Sequence, residues 1–196
     1  MASIRAYYLP ADPASEIDTS HPVSVEELNA LGWKMFSVGG SHDEIEQAGQ
    51  KLAQKLGYPV TQEGCIIPFN LELEKNAAAM APEMATLLMK AAEVASENSN
   101  ICVTNGVVAA VTSGSPYLDV EDIIAAGWVR IHVGAGTLFC VPTGAKYRVT
   151  FNEQNRDATG IAFFKETISN PGLLVKKEID NHPARQAYLS QVLGQT

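Results

Sequence analysis

Gly136-Thr137-Leu138-Phe139-Cys140-Val141-Pro142-Thr143-Gly144-Ala145-Lys146-Tyr147 decides how the rest of the chain folds. A glycine, five strand-type residues, Pro-x-Gly and a second extended run read as strand, tight turn, strand. Proline fixes φ in the turn and glycine supplies a positive φ. Around this stretch, residues 101–164 divide into further strand-length runs at 101–103, 107–111, 117–120, 128–133, 138–141, 146–151 and 159–164. Asn-Gly, Ser-Gly-Ser-Pro, Ala-Gly, Gly-Ala-Gly and Pro-Thr-Gly separate them at the spacing of an antiparallel sandwich or barrel.

Towards the N-terminus the texture is mixed. Residues 4–9 form a strand-like run ended by Pro10, and the polar stretch 11–22 reads as loop. Ser24-Val25-Glu26-Glu27 is a capping box, so a short helix is expected to about Leu31, with Gly32 ending it. Residues 33–38 read as another strand. Ser41-His42-Asp43-Glu44 repeats the capping pattern ahead of Ile45, Ala48, Leu52 and Leu56, one helical stripe that Gly57 closes. After a brief apolar stretch at 65–69, residues 71–95 are rich in Ala, Met, Leu and Glu, predicting helix broken at Pro82. Its Met80, Met84, Leu87, Leu88 and Met89 read as packing residues, with a methionine-lined groove as the alternative. Beyond Pro171 the chain reads as loop and then a short helix over 185–193.

A chain of 196 residues can bury a substantial core, roughly 70% of its unfolded surface. With 46% hydrophobic and 18% charged residues it has the composition of a soluble globular protein. The formal charge of −8 arises from 22 acidic against 14 basic residues without long like-charge blocks, which disfavours nucleic acid as a partner. No apolar run approaches the roughly 20 residues of a membrane span. Met1-Ala2-Ser3-Ile4-Arg5 shows no signal-peptide pattern, so a cytoplasmic location and no membrane contact are expected. Cys65, Cys102 and Cys140 lack CxxC spacing and sit in apolar runs, so they read as buried reduced thiols.

Taken in order, these segments resemble the acireductone dioxygenase family, cupin enzymes of methionine salvage. The resemblance rests on Ile4-Arg5-Ala6-Tyr7-Tyr8, on Pro22-Val23-Ser24-Val25-Glu26-Glu27-Leu28 with Leu31-Gly32, and on Tyr117-Leu118-Asp119-Val120. It continues through Trp128-Val129-Arg130-Ile131-His132-Val133, Arg148-Val149-Thr150 and Pro183-Ala184-Arg185-x-x-Tyr188-Leu189. The stretch from Gly136 to Gly144 is similar to the second cupin signature. The resemblance implies a mainly β fold with flanking helices (α+β), a cupin-type antiparallel β-barrel or jelly roll. It also implies a single cupin domain over 1–196, with strands and helices of 1–96 packing on a core barrel at 97–166 and a tail with a short helix at 167–196.

Those signatures carry three histidines and a glutamate that bind metal. Registering the first signature on Gly114 places its ligand positions at Ile101, Val103 and Val107; the second places the fourth at Tyr147. The arginine that such enzymes carry two residues after the glutamate falls at Ala109. Aliphatic side chains cannot bind a divalent ion, and a phenol rarely does so unaided. Iron- or nickel-assisted attack of dioxygen on an enediol, the activity that the resemblance implies, is therefore not expected, nor is any cofactor. Of the histidines, His21, His42, His132 and His182, only His132 lies in the barrel region.

Alternation along strands would send Ile101, Val103, Val107, Ala109 and Val111 to one face. Either they line an apolar cavity or they fill the barrel as core. In a cavity, Ile101, Val103, Val107, Ala109 and Val149 would contact a small hydrophobic substrate, with Tyr147 as hydrogen-bond donor and His132 as a candidate base. Metal-free cyclisation, isomerisation, dehydration or a pericyclic step suits such a site. The alternatives are a non-catalytic binder of a small molecule or protein, and an oxygenase with a rearranged metal site. Both monomer and homodimer are compatible with the sequence.

Overall fold

A computed structural model describes residues 4–12, 15–70, 100–151, 158–167, 172–175 and 178–194. The helix expected over 71–95, with its methionines and Pro82, lies outside them. Among the described residues the fold is two antiparallel sheets with few helices.

The first sheet contains β1 (Ala6–Tyr8), β7 (Gly127–His132), β6 (Tyr117–Asp122), β9 (Lys146–Thr150), β4 (Ile101–Val103) and β11 (Leu173–Val175), in that order. The second runs β2 (Lys34–Ser37), β8 (Thr137–Val141), β5 (Val107–Gly114), β10 (Ala158–Phe164) and β3 (Ile66–Asn70). Each predicted run of the barrel region is a strand, and β8, the Pro-Thr-Gly turn and β9 form one of the stretches that join the two sheets. Gly144 has φ +85°, the turn conformation that its lack of a Cβ permits. Two strands are not evident in the sequence: β3 lies in what reads only as a brief apolar stretch, and Leu173-Leu174-Val175 lies in the expected C-terminal loop and pairs with β4.

Inward side chains of both sheets meet in one apolar core. Leu28, Trp33, Val120, Val129 and Ile131 are completely buried there. Burying such a side chain stabilises the fold by about 1.5–3 kcal/mol, so this face fixes the strand register.

Both capping boxes are formed. In α1 (Val25–Ala30), Glu27 accepts from the Ser24 backbone N–H at 2.7 Å while Ser24 Oγ accepts from Glu27 N–H at 3.1 Å. In α2 (His42–Lys55), Glu44 accepts from the Ser41 N–H at 2.7 Å. The buried seam of α2 is Ile45, Gly49 and Ala53, with Ala48 and Leu52 partly covered. Leu56, expected on that stripe, is exposed at the helix end. Small residues win the centre because the helix lies close on the outer face of β5: a Cβ added at Gly49 would stand 2.9 Å from the Ala110 Cβ.

The C-terminal helix α3 (Pro183–Leu193) is pinned to the turn and to α1. Arg185 donates to the Gly144 carbonyl and pairs with Glu121, while Tyr188 Oη donates to the Leu31 carbonyl at 2.9 Å. No described helix is long and apolar enough to cross a membrane.

Candidate functional site

Residues Thr104, Asn105 and Gly106 carry the chain from β4 in one sheet to β5 in the other. The odd-numbered side chains on both sides of this crossing therefore face the same interior space. Ile101, Val103, Val107, Ala109 and Val111 all line one cavity of about 190 Å³. Tyr147 and Val149 of β9 line it too, as do Phe139 of β8 and Ala162 of β10.

Antiparallel pairing sets these neighbours. Tyr147 stands opposite Ile101 on one side and Val120 on the other, and Val107 stands opposite Val141. Directly opposed residues project to the same face. Ala109 lies between Phe139 and Ala162, which is where small side chains leave volume.

Tyr147 carries the one polar side-chain atom among the described residues that line the cavity. Its ring stands edge-on to Trp33, centroids 5.6 Å apart at 79°. The residue is 8% exposed, and its hydroxyl makes no hydrogen bond to a described residue. Burial pushes the phenol above its ordinary ionisation range, with Cys102 adding in the same direction. At neutral pH it is a neutral O–H, a donor to a ligand oxygen and not a base.

His132 stands elsewhere. Val129 and Ile131 of β7 face the core, and alternation turns His132 to the outer face, where it packs edge-on to Tyr117 at 4.6 Å and Tyr7 at 6.3 Å. The expectation of His132 in the cavity is corrected on that ground. Burial, followed by Arg5 and Arg130, holds its pKa below the ordinary value. The other histidines serve the surface: His21 contacts Asp18, His42 contacts Glu46, and His182 caps α3 by accepting from Ala184 N–H. Cys65 and Cys102 are buried free thiols, and Cys140 is a half-buried one.

The four signature positions thus meet at one place but carry three hydrocarbons and a phenol. A divalent ion needs imidazole, carboxylate or thiolate donors, and these four side chains do not fit one. Among the described residues no three His, Cys, Asp or Glu side chains gather as a candidate metal site.

A second cleft, missed from sequence, lies on the outer face of the six-stranded sheet beside Arg130, Arg148 and Trp128. The signal for it is cross-strand register, which separates Asp119, Arg130 and Arg148 along the chain while placing them in one row.

No family model matches the chain. It is similar to an acireductone dioxygenase from Leishmania infantum, 26% identical over 193 residues, which cover 95% of this chain and 52% of that protein. The chain thus spans about half the length of that relative. Another acireductone dioxygenase, from Branchiostoma floridae, is 26% identical over 192 residues, covering 95% of this chain and 96% of the relative. Among solved structures, the acireductone dioxygenase of Bacillus anthracis, with a cadmium ion in its active centre, superposes with a TM-score of 0.55 at 15% identity. That match covers 84% of this chain and 92% of that one. The two antiparallel sheets described above match that cupin-like fold.

Proposed function

We propose that this protein, on a scaffold like that of the acireductone dioxygenases, holds a small hydrophobic molecule in the apolar cavity and promotes a metal-independent rearrangement of it. The observation that carries the reading is the convergence of Ile101, Val103, Val107 and Tyr147 on one open, hydrocarbon-walled space. A scaffold that exchanged its ligands for core residues would close that space, because interiors pack to high density. Here the space stays open beside a phenol with no described hydrogen-bond partner.

A volume of about 190 Å³ limits the occupant. A cavity of roughly 150 Å³ takes a benzene-sized molecule, so the space suits a ring or a short folded chain. Two effects then act on a substrate. Apolar walls select a folded conformer of a conjugated or unsaturated chain, which holds its reacting ends in a near-attack geometry. The Tyr147 O–H donates to a carbonyl or enol oxygen, and a donor aimed at developing negative charge is worth about 3 kcal/mol. Pericyclic closure, and cyclisation or isomerisation that passes no proton to the protein, require no more than this, whereas a dehydration also needs its protons carried by solvent or by the substrate itself; such steps belong to specialised metabolism. The protein works in the cytoplasm as a monomer or homodimer on this reading.

A second reading, a binder without turnover, is favoured by a different observation. No acid–base pair faces the cavity among the described residues, so proton transfer between two protein groups is not built in. The names of the relatives favour a third, dioxygenase chemistry, and it conflicts with the donor set at Ile101, Val103, Val107 and Tyr147.

Thermal unfolding in the presence of toluene and of cyclohexenone tests the reading. Both should raise the midpoint, cyclohexenone losing its extra effect in Tyr147→Phe. An unchanged midpoint with either probe would sink it. Stabilisation by probes without conversion of any conjugated enone or polyene would move the assignment to the binder.

A further inference from the structure

On the outer face of the six-stranded sheet, Asp119 of β6 stands between Arg130 of β7 and Arg148 of β9. Asp119 is 1% exposed, and Arg130 uses both of its oxygens, Nε to Oδ1 at 2.7 Å and Nη2 to Oδ2 at 2.8 Å. Such a bidentate grip satisfies one guanidinium with one carboxylate. Arg148 is left over. Its Nη2 is 3.9 Å from Asp119 Oδ2, beyond hydrogen-bond range, and its buried Nε has no acceptor.

What holds Arg148 in place is an aromatic ring: its guanidinium carbon lies 4.0 Å from the Trp128 ring centroid. Stacking fixes the plane of the fork while leaving donors free. Two guanidiniums against one carboxylate leave a local excess of positive charge on a chain whose formal charge is −8. Burial lowers the Arg148 pKa, Asp119 opposing and Arg130 reinforcing, whereas the Asp119 hydrogen bond raises that of Arg130. Asp119 thus serves Arg130, and Arg148 is a caged cation without its own counter-charge.

A cleft of about 740 Å³ opens over this row, a size common for small-molecule sites. Thr150 lines it, and its hydroxyl, which accepts from Arg130 Nη2 at 3.4 Å, has its own proton to donate. Leu9 and Ile17 of the N-terminal loop and Phe151 supply apolar walls. We propose that this cleft binds a small organic oxyanion, a carboxylate or a phosphate ester, gripped by Arg148 and Thr150 with its apolar part against Leu9, Ile17 and Phe151. The site is on the opposite face of the sheet from the apolar cavity and takes ligands of opposite character.

Calorimetric titration of the full chain with sodium benzoate, phenyl phosphate and neutral benzyl alcohol tests this. Saturable binding of an anion, absent for the alcohol and weakened by added chloride, is expected. Which anion binds identifies carboxylate or phosphate as the preferred head group. Arg148→Gln should weaken the anion at least about tenfold, the loss expected for a charged hydrogen bond, while leaving the toluene effect on unfolding in place. Equal binding of alcohol and anion, no binding of either anion at millimolar concentration, or wild-type affinity in a folded Arg148→Gln protein would overturn the proposal. The comparison of anion with alcohol needs no variant, so it decides the matter even where Arg148→Gln does not fold.

Discussion

Ile101 and Tyr147 face each other across the β4–β9 ladder, and both side chains enter the same cavity. They stand at positions that the resemblance to two separate cupin signatures marks for ligands, and the pairing of β4 with β9 brings those positions together. Where imidazoles would point at an ion, a branched hydrocarbon and a phenol bound a space.

The openness of that space is tested by two adjacent alanines of β5. Ala109 faces the cavity, and Ala110 faces α2, packed with Ile45 and Leu138. Ala109→Leu should be neutral or stabilising by up to about 2 kcal/mol, since its added carbons fill apolar space. Ala110→Leu should cost about 1–3 kcal/mol or more by pushing against Gly49. Urea denaturation of the pair reads the difference; equal penalties would mean that the cavity is already packed.

Tyr147→Phe separates a ligand-directed hydroxyl from a structural one. Without a described partner to lose, the variant should differ from the parent by less than about 1 kcal/mol in chemical denaturation. Its response to cyclohexenone should fall while its response to toluene stays. A large stability loss would show that the hydroxyl serves the fold.

Much of the fold can be read along the chain, because its signals are local. Two capping boxes, the stop at Gly57 and the Pro-Thr-Gly turn each act within four residues of themselves. Alternation at Val129, Ile131 and Val133 likewise contains the outward placement of Arg130 and His132. The strand 173–175 could not be found this way: three apolar residues carry no period, and they are extended because β4 has an unpaired edge for them. The cavity set was legible as a parity, but parity holds only within one strand. That Ile101 and Val103 meet Val107 and Ala109 depends on the crossing at 104–106 between sheets. The row of Asp119, Arg130 and Arg148 needed register across three strands, which composition and spacing do not contain.

Gly144→Ala should be among the most damaging single changes. A Cβ there would meet the Ala184 carbonyl oxygen at 2.2 Å, at φ +85°. Both terms act together, the left-handed backbone and the clash with the first turn of α3, so a loss of at least about 2 kcal/mol is expected. A denaturation midpoint like that of the parent would contradict the packing of α3 on this turn.

His132 gives the fold a mild acid sensitivity. Its pKa is lowered from 6.5 in the folded state, so the unfolded chain takes up the proton first. Stability is complete above that value and falls as pH drops through the folded one. Carboxyls held below their ordinary values, at Asp18, Glu27, Glu44 and Asp180, start from 4.5 or lower and act only in stronger acid. Urea midpoints at about pH 7.5 and about pH 5.5 should therefore differ in the parent and converge in His132→Phe, which keeps a ring against Tyr7 and Tyr117. An unchanged slope in the variant would remove His132 as the cause.

Ile101, Val103, Val107 and Tyr147 should together hold no divalent ion. Plasma mass spectrometry of the purified protein, before and after incubation with iron, nickel and zinc and removal of excess, tests it most directly. Below about a tenth of an equivalent of every metal is expected throughout, because no donor set that would retain one gathers among the described residues. About one equivalent of any of them, retained through gel filtration and lost on mutation of Tyr147, would contradict it.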